Sequence, residues 1–518
     1  MPSQPEVTLR YHQGETPPKD YRVGKEDILI GRASECDIHL EDQQVSRFHA
    51  SLRVAPDGLW LLDMDSKNGT LVDEKPIPPN RRISLQPDQS FTIGSYTFTT
   101  IVRSSPSPDQ TIVQSVPPSD QTMIQPGVKR GYMYDLDALR KTEFPQMLDR
   151  TNLDNAASAP PPMRTINKIK ELTEQKIGTT EWHSDKFIFA ANGAFLTSVA
   201  KLIHAASMDE IVVVDGCSVG LNLFAQSLVL QPGDNIAFCD LEHPANVYCW
   251  MSLQRDGVVI KQVSSVNGGL TLEALRQTVD DRTRVVAASA VQFFSGHRTD
   301  LAAIGKFCRE RNILFVVDAI QAVGHIPIDV QKMNIDVLAT GGHKSIMAGP
   351  CVGFMYVRSE VCSTLKPRVI GALSTADWPY YLKYDTTPHD GAWRFLIGTP
   401  NMVGMGAIVE SIALINELTR EAIDRHTTHL AARTLEMARA RGYELTTTPG
   451  EHGSIATFKS KFDKEKTSVF LEKLEEEQKI TVARHIDRQG HPHLRLSFHC
   501  YNTEDEILRT MDALEKMQ

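Results

Sequence analysis

The chain has 518 residues, too many for one hydrophobic core, and domain-size scaling predicts roughly two to four domains. Its 41% hydrophobic and 23% charged residues are typical of a globular protein, and the net charge of -9 argues against a nucleic-acid binder. No apolar run is long enough to cross a membrane and no signal-peptide pattern begins the chain, so we expect a cytoplasmic protein without membrane contact. The eight cysteines are scattered without a CxxC pair, so we expect neither a disulfide framework nor a metal site.

The first predicted region, residues 1–103, contains short strands separated by turn signals such as Asn68-Gly69. Residues 59–62 and 91–93 are examples of the apolar segments between the turns. Many short strands at this spacing predict an all-β sandwich.

Three short motifs occur in order among these strands: Gly31-Arg32, Ser46–His49 and Ser66–Thr70. Together they resemble the forkhead-associated (FHA) domain, which implies binding to phosphothreonine. His49 is expected to brace its loop rather than contact the ligand.

A phosphothreonine carries close to two negative charges and three acceptor oxygens, which suit guanidinium and hydroxyl donors. By the resemblance, Arg32, Ser46 and Arg47 grip the phosphopeptide, while Asn68 and Thr70 hold its backbone or phosphate. The alternative is a sandwich that binds proteins without reading phosphate.

Residues 104–130 are rich in Ser, Pro, Gln and Asp and are predicted to be a flexible linker. Two similar hexapeptides, DQTIVQ and DQTMIQ, place Thr111 and Thr122 in matched contexts. We expect a Ser/Thr kinase to phosphorylate one of them, so that the FHA domain binds its own linker or that of a partner. The alternative is an ordinary polar linker whose repeat arose by duplication.

From residue 131 onward, apolar strand-like segments alternate with amphipathic helix-like segments such as 301–311. The clearest buried-strand candidates are 211–214, 285–288 and 313–317. This alternation predicts a mostly parallel sheet with helices on both faces. We expect a large domain over 131–400 and a small α/β domain over 401–518, which includes part of the N-terminal segment of the enzyme.

Two functional groups follow neighbouring predicted strands. Asp318 ends the apolar strand 315–317, and Lys344 lies in a Gly-rich turn after the strand 337–339. Ligands of α/β folds bind at the carboxyl ends of the strands. Pyridoxal phosphate (PLP) needs a lysine for its Schiff base and a carboxylate at its pyridine nitrogen, so the pair predicts a PLP site.

Residues 151–518 resemble the class V aminotransferase family, which includes cysteine desulfurases, selenocysteine lyases and isopenicillin N epimerase-like proteins. Besides Asp318 and Lys344, the matching segments are 153–158, 242–246, 398–401 and 494–497. The resemblance implies the PLP fold type I and an amino-acid substrate.

The family pattern assigns four residues to the cofactor ring. Lys344 would form the Schiff base and then carry the α-proton, and Asp318 would pair with the pyridinium nitrogen. Gln321 would hydrogen-bond the phenolic oxygen, and His243 would stack on the ring.

The same pattern places the cofactor phosphate at a helix beginning with Cys217 and Ser218, with His343 as a further ligand. Thr399 would reach the phosphate of the neighbouring subunit, which implies a homodimer. Cys217 stands where a threonine is usual, and Gly341 where a serine is common.

Arg495 is expected to bind the substrate carboxylate, and Asn155, Gln292 and Arg484 are candidates for lining the substrate site. Cysteine desulfurases carry a nucleophilic cysteine in the loop before this arginine. The corresponding interval, 484–493, contains no cysteine, so a persulfide-forming step lacks its nucleophile.

Several reactions remain open: C–S lysis, transamination or epimerisation. Epimerisation needs a second acid, for which His485, His491 and His493 are candidates. Two alternatives are a desulfurase with a non-standard acceptor such as Cys351 or Cys500, and a pseudoenzyme scaffold that serves the FHA domain.

Overall fold

A computed structural model describes the residues 6–14, 16–23, 27–32, 36–46, 49–55, 58–64, 66–78, 82–86, 89–103, 134–178, 185–376, 382 and 384–516. The chain divides into two compact units, 1–121 and 122–518. The predictions for Arg47, for the linker 104–130 and for its Thr111 and Thr122 lie outside the described residues.

The N-terminal unit is built of short strands. They are β1 (Glu6–Gln13), β2 (Lys19–Arg22), β3 (Asp27–Gly31), β4 (Ile38–His39), β5 (Ala50–Ala55), β6 (Gly58–Asp63), β7 (Thr70–Val72), β8 (Lys75–Pro76), β9 (Arg82–Leu85), β10 (Ser90–Ile93) and β11 (Tyr96–Arg103). One sheet has the order β2-β1-β11-β10-β7-β8, and the other β4-β3-β5-β6-β9.

Alternating side chains of both sheets form one hydrophobic core in this unit. Leu9 and Phe98 of the first sheet and Ile30 and Leu52 of the second are fully buried in it. Because the side chains of a strand point alternately to its two faces, each sheet buries one face against the other. The predicted all-β sandwich is confirmed.

The second unit combines helices and strands. Its helices are α1 (Leu136–Glu143), α2 (Met163–Gly178), α3 (Asp185–Ile203), α4 (Cys217–Ala225), α5 (Ala245–Met251), α6 (Leu272–Thr278), α7 (Leu301–Glu310), α8 (Ser359–Cys362), α9 (Met402–Leu418), α10 (Arg420–Ala440), α11 (Lys464–Gln478) and α12 (Glu504–Lys516). Its strands are β12 (Thr151–Asn152), β13 (Ile211–Val214), β14 (Asn235–Cys239), β15 (Val259–Val263), β16 (Thr283–Ser289), β17 (Leu314–Asp318), β18 (Val337–Gly341), β19 (Gly353–Val357), β20 (Ile455–Lys459), β21 (Ile480–Thr481), β22 (Ala483–Ile486) and β23 (Pro492–Ser497).

A 7-stranded sheet with the order β13-β19-β18-β17-β16-β14-β15 is the centre of the second unit. Strand β19 is antiparallel to both of its neighbours, and the other neighbouring pairs are parallel. Most of these strands are buried along their whole length, as expected for a sheet covered on both faces. The predicted mostly parallel sheet is confirmed, and β17 and β18 lie side by side in it.

A smaller antiparallel sheet, β20-β23-β22, has its own hydrophobic core with α10, α11 and α12. Strand β12, near the start of the unit, pairs with β21, and Leu153 is buried in this second core. The register pairs Ala483 with Arg495 and His485 with His493. Directly paired residues of an antiparallel sheet share a face, so these four side chains point to the same side.

The apolar helix α9 packs against α2 and α3 and is buried along most of its length. Within the described ranges, no single helix meets the length and hydropathy expected of a membrane span. Helices α9 and α10 satisfy these length and hydropathy criteria only when they are taken together, and the chain bends by 80° between them. Burial in the core therefore explains the apolar composition of α9.

Two helix-interior glycines offer a matched test of the packing. A Cβ added at Gly305 would lie 1.9 Å from the carbonyl oxygen of Met333, whereas at Gly193 it would meet nothing within 4 Å. We expect Gly305→Ala to destabilise the second unit by about 1–3 kcal/mol, because the clash is with backbone. Gly193→Ala should stabilise it by about 0.5–1 kcal/mol through backbone entropy. Urea unfolding of the full chain measures both, and equal effects would contradict this packing.

Candidate active site and phosphopeptide loops

The predicted phosphopeptide-binding motifs come together through a set of loop hydrogen bonds. The backbone N–H of Arg32 donates to the carbonyl of Ser46 (2.9 Å), and Nε of Arg32 donates to the carbonyl of Val45 (3.2 Å). The backbone N–H of Lys67 donates to Oγ of Ser46 (3.0 Å). The side chain of Arg32 is exposed, so its guanidinium group is accessible to a ligand.

His49 braces these loops, as expected. It is fully buried, its Nδ1 accepts the N–H of Ser46 (3.1 Å), and its Nε2 lies 3.1 Å from the carbonyl of Gly69. Burial lowers the pKa of His49, which keeps the ring neutral. Asn68 is exposed and donates to the carbonyl of Gln44 (2.7 Å), which ties the turn to the loop beside it.

Thr70 is placed differently from its prediction. It is fully buried and donates its hydroxyl to the carboxylate of Asp63 at 2.5 Å. Asp63 also accepts the hydroxyl of Ser66 (2.8 Å). In this structure the side chain of Thr70, at the first position of β7, points inward and holds the loop, and its role toward the peptide backbone or phosphate stays a prediction.

Asp318 and Lys344 meet at the carboxyl ends of β17 and β18. Asp318 is only 3% exposed, and one carboxylate oxygen accepts the N–H of Ile320 (3.0 Å). Burial lowers the pKa of Lys344, while the charge of Asp318 partly offsets this effect. A lowered lysine pKa makes the neutral, nucleophilic amine available closer to neutral pH.

His243 lies at the same edge of the sheet, just before α5. Its Nδ1 accepts the N–H of Ala245 (3.1 Å), and its ring makes an edge contact with Phe293 at 4.9 Å between centroids. Burial and the nearby charge of Lys344 lower the pKa of His243. The ring is therefore neutral and held in a fixed orientation.

Glu242 is a buried residue to which the sequence assigned no role. It accepts hydrogen bonds from the N–H (2.9 Å) and hydroxyl (2.5 Å) of Ser289, from Asn246 (3.0 Å) and from Nε2 of Gln292 (2.7 Å). Burial raises its pKa to about 7. Glu242 fixes the side chain of Gln292 and the start of α5. Its position in the sequence, directly before His243, could have indicated that it belongs to the site.

Gln321 and the predicted phosphate residues of α4 are also assigned to the cofactor, and among them Cys217 lies close to Asp318 and Lys344. Gln321 is buried and donates to the carbonyl of Ala156 (2.8 Å). The N-cap residue of α4 is Gly216, which supplies no side-chain hydrogen bond, and Ser218 is exposed in the first turn. Cys217 is buried, and burial raises its pKa well above the usual thiol value, so it stays neutral.

The glycine at position 341 has a steric explanation. A Cβ at Gly341 would lie 3.3 Å from Cε1 and Nδ1 of His343, so glycine leaves room for that ring. Burial lowers the pKa of His343, with Lys344 as the second cause. His343 is therefore neutral beside the start of the lysine turn.

Arg495 is buried on the site-facing side of the small sheet. It forms an ion pair with Asp154 (2.7 Å) and donates to the carbonyl of Phe293 (3.0 Å). Its Nε is buried without a hydrogen-bond partner among the described residues. A buried guanidinium group with a donor to spare suits a carboxylate ligand.

Asn155 and Gln292 differ in what they can still bind. Asn155 donates to the carbonyls of Asn152 (3.2 Å) and Ser497 (2.8 Å) and accepts the hydroxyl of Tyr501 (2.6 Å). These contacts use its amide group, so it holds the chain together rather than facing a ligand. Oε1 of Gln292 is buried and has no partner in the described part of the chain, so Gln292 remains a candidate.

Arg484 lies on the other face of the small sheet from Arg495, and its predicted place in the substrate site stays a prediction. Arg484 donates to the hydroxyl of Ser468 and to the carbonyl of Lys464 (3.1 Å), on α11. Side chains alternate along a strand, so the next residue, His485, faces the site instead. The ring of His485 contacts Phe293 at 5.6 Å and Phe294 at 6.2 Å.

The interval that holds the cysteine in desulfurases is a tight hairpin between β22 and β23. Its turn is closed by Asp487, whose N–H donates to the carbonyl of His491 (3.0 Å). Arg488 in the turn forms an ion pair with Asp240 (3.5 Å). All eight cysteines are free, and Cys351 is the exposed one. Cys500 is buried, and burial raises the pKa of its thiol well above the usual value, so it stays neutral.

A cavity of about 760 Å³ lies beside this hairpin. Glu242 and Pro244, which flank His243, belong to its wall. The rest of the wall includes Tyr248, Met251, Phe293, Phe294 and Arg488. Since Phe293 contacts His243 and also lines the cavity, the cavity adjoins the candidate active site.

Thr399 is exposed, two residues before Asn401 at the N-cap of α9. Asn401 donates to the carbonyl of Cys351 (3.1 Å), which connects this segment to the loop after Lys344. An exposed Thr399 is available to a second subunit, and its role there stays a prediction.

Family models match both units. The aminotransferase class-V model matches residues 151–510, and the FHA domain model matches residues 28–94. The chain belongs to the class V aminotransferase family. It carries an FHA domain at its N-terminus, and both predicted resemblances are confirmed.

Curated relatives cover the class V region. The chain is 28% identical to the uncharacterized aminotransferase YcbU of Bacillus subtilis (strain 168) over 378 residues, 72% of this chain and 95% of YcbU. It is 30% identical to a cysteine desulfurase of Dickeya dadantii (strain 3937) over 308 residues, 57% of this chain and 74% of that enzyme.

Solved structures share the fold. The apo cysteine desulfurase of Thermococcus onnurineus NA1 aligns with a TM-score of 0.66 at 22% identity, covering 74% of this chain and 97% of that one. A variant of C-DES with glycine covalently linked to its PLP cofactor aligns with a TM-score of 0.66 at 19% identity, covering 72% and 98%. The second unit therefore has the PLP fold type I, and the enzyme is PLP-dependent.

The donor set fits this cofactor. Lys344 has a lowered pKa, Asp318 offers a buried carboxylate, and α4 begins without a side-chain cap where an anion would bind. The neutral ring of His243 is held at the same edge of the sheet. These residues would hold the ring and the phosphate of PLP.

The two arginines on opposite faces of the small sheet give a matched test. We expect Arg495→Ala to weaken the binding of amino acids about tenfold to a hundredfold, because a charge-assisted hydrogen bond to the carboxylate is lost. Arg484→Ala should leave that binding unchanged, because its side chain contacts α11. Titration of the cofactor absorbance with L-alanine measures both, and a larger effect at Arg484 would contradict the assignment.

Proposed function

We propose that the second unit is a C–S lyase, which eliminates a sulfur-bearing group from the β-carbon of an L-amino acid without forming a persulfide on the protein. The observation that carries this proposal is the hairpin interval 484–493, which contains no cysteine and directs His485 toward Phe293 in the site. Relatives named cysteine desulfurase point to sulfur-containing amino acids as the substrate class.

The residues divide the work by position. Arg495 binds the α-carboxylate of the substrate and gives up part of its contact with Asp154. This binding orients the α-hydrogen toward Lys344. PLP, when bound, stabilises the negative charge that develops on the α-carbon. Lys344 holds the α-proton, Asp318 supplies the buried negative charge, and the cavity beside Phe293 receives the leaving group.

Epimerisation is less well supported, because it needs a second acid. His491 and His493 both contact the carboxylate of Asp487, at 3.3 Å and 3.1 Å. Burial and the charge of Arg495 lower the pKa of His485 to about 4, so it carries no extra proton at neutral pH. Lys344 is then the principal proton carrier, which suits elimination.

The reaction products test this proposal. We expect the PLP-loaded enzyme to convert L-cystine or L-cysteine into equal amounts of pyruvate and ammonia, with sulfur released into solution. Cys351→Ser should retain the rate, since no thiol takes part. Keto acid without ammonia would indicate transamination, and a D-amino acid epimerisation. A persulfide on Cys351 together with an inactive Cys351→Ser variant would make the enzyme a desulfurase with an unusual acceptor.

We further propose that the enzyme is a cytoplasmic homodimer in which Thr399 contacts the cofactor phosphate of the partner. The exposure of Thr399 and the free state of all eight cysteines support this arrangement in a reducing compartment.

We propose that the FHA domain binds phosphothreonine through Arg32, Ser46 and Arg47, with Asn68 positioning the peptide. The exposed Arg32 beside the hydroxyl of Ser46 supports this proposal, because a phosphate accepts from both. A Ser/Thr kinase would supply the phosphate on a partner protein or on the linker of this chain.

Chain length favours Thr122 over Thr111 as an internal ligand. Strand β11 begins next to the phosphopeptide loops, because Tyr96 pairs with Ile93 and Ile93 pairs with Thr70. The strand ends at Arg103, about 23 Å from those loops. The 8 residues from 103 to 111 span at most about 26–29 Å, and the 19 residues to 122 at most about 63–68 Å. Thr122 reaches the loops with length to spare, and Thr111 only when fully extended.

Peptide binding tests the FHA proposal. A peptide copying residues 116–128 with phosphothreonine at position 122 should bind the full chain, and its unphosphorylated form should not. Arg32→Ala should weaken binding about tenfold or more, because a charge-assisted contact is lost. Arg10→Ala is the control, since Arg10 is an exposed arginine paired with Asp20 on β2. Fluorescence anisotropy measures this, and equal binding by Arg32→Ala would contradict the assignment.

A further inference from the structure

His485 carries an unused polar atom inside the candidate active site. Its Nε2 is buried and has no hydrogen-bond partner among the described residues. The ring is fixed by edge contacts with Phe293 (5.6 Å) and Phe294 (6.2 Å). A buried polar atom without a partner carries a free-energy penalty, so such atoms in a folded protein call for an explanation, and a bound ligand is one.

The position of His485 relative to Arg495 indicates which part of a ligand it meets. His485 pairs with His493, and His493 is two residues before Arg495 on β23. His485 and Arg495 are therefore diagonal neighbours on one face of the sheet, where side chains are about 7–8 Å apart. An amino acid whose carboxylate is bound at Arg495 therefore extends its side chain within reach of His485.

Other polar groups on this face are already engaged. His493 contacts Asp487 (3.1 Å) and the hydroxyl of Thr446 (2.7 Å). Thr457, which pairs with Arg495 from the other side, donates to the carbonyl of Phe294 (2.7 Å). Within the described part of this face, Nε of Arg495 and Nε2 of His485 are the buried polar atoms left for a ligand.

The surroundings also fix the charge of His485. Lys344, His243 and Arg495 lie close enough to disfavour a second proton on its ring, and burial acts in the same direction. A neutral imidazole can donate or accept a hydrogen bond. His485 is therefore a neutral hydrogen-bonding group and not a second cation for the carboxylate.

We propose that Nε2 of His485 hydrogen-bonds the heteroatom on the β-carbon of the substrate and thereby selects amino acids with oxygen or sulfur at that position over those with an alkyl group. This inference rests on the proposed amino-acid site, and it names the feature of the substrate that the site reads. A site built to bond a polar atom rejects an analogue that lacks it, because its own polar group then stays unpaired.

L-Serine and L-2-aminobutyrate test the proposal, because they differ by a hydroxyl in place of a methyl group. Titration of the cofactor absorbance of the PLP-loaded full chain gives a Kd for each ligand without requiring turnover. We expect L-serine to bind about tenfold more tightly, the ratio that corresponds to one hydrogen bond of about 1.4 kcal/mol.

Variants of His485 assign that preference to one atom. His485→Phe should remove the preference for L-serine while leaving the Kd of L-2-aminobutyrate within about twofold, and His485→Gln should restore part of it, since its amide can still hydrogen-bond. His491→Phe is the matched control, because His491 is an exposed histidine of the same hairpin, and it should retain the full preference.

The outcomes separate this inference from the proposed function. An unchanged serine preference in His485→Phe, or no preference in the natural chain, overturns the role of His485 and leaves the amino-acid site standing. A chain whose absorbance responds to no amino acid overturns both. If His485→Phe fails to fold, the result for His485→Gln decides. The proposal is contradicted if His485→Gln loses the whole preference for L-serine and also changes the Kd of L-2-aminobutyrate.

Discussion

The catalytic unit depends on one buried electrostatic arrangement, the carboxylate of Asp318 beside the amine of Lys344. An isolated buried charge carries a large desolvation free energy. The opposite charges of Asp318 and Lys344 reduce that cost for each other at the ends of β17 and β18. The parallel sheet creates this edge, and burial along its strands keeps water from screening the pair. The other residues of the site, including His243 and Gln321, are arranged around the two.

The small sheet determines what can be bound next to that pair. Its site-facing side presents Arg495 and His485, and its hairpin is short and held by the contact of Arg488 with Asp240. This hairpin contains no cysteine, and a cavity lies beside it. The proposed elimination reaction therefore rests on a turn outside the central sheet.

The sequence predicted the parts of the site that depend on local pattern. Asp318 and Lys344 each follow an apolar strand. Their predicted place at the strand ends stays the same even if the predicted bounds of the strands are wrong by a residue or two. It could not predict which way the side chain of Arg484 points, because a shift of one residue reverses the face of a strand, and the register of β22 is set by its pairing with β23. The motifs likewise did not reveal the partners of two side chains: Thr70 bonds Asp63 on the preceding strand, and Asn155 bonds Ser497, which is far along the chain.

Chemical fixation of the cofactor identifies the lysine that binds it. PLP added to the purified full chain is reduced onto its lysine with borohydride, and peptide mass spectrometry locates the modified residue. We expect stoichiometric modification of Lys344, and a strongly reduced yield in Asp318→Asn, because the buried carboxylate that would hold the ring is lost. Modification of another lysine, or none in a chain exposed to excess PLP, would contradict the assignment of this edge of the sheet as the active site.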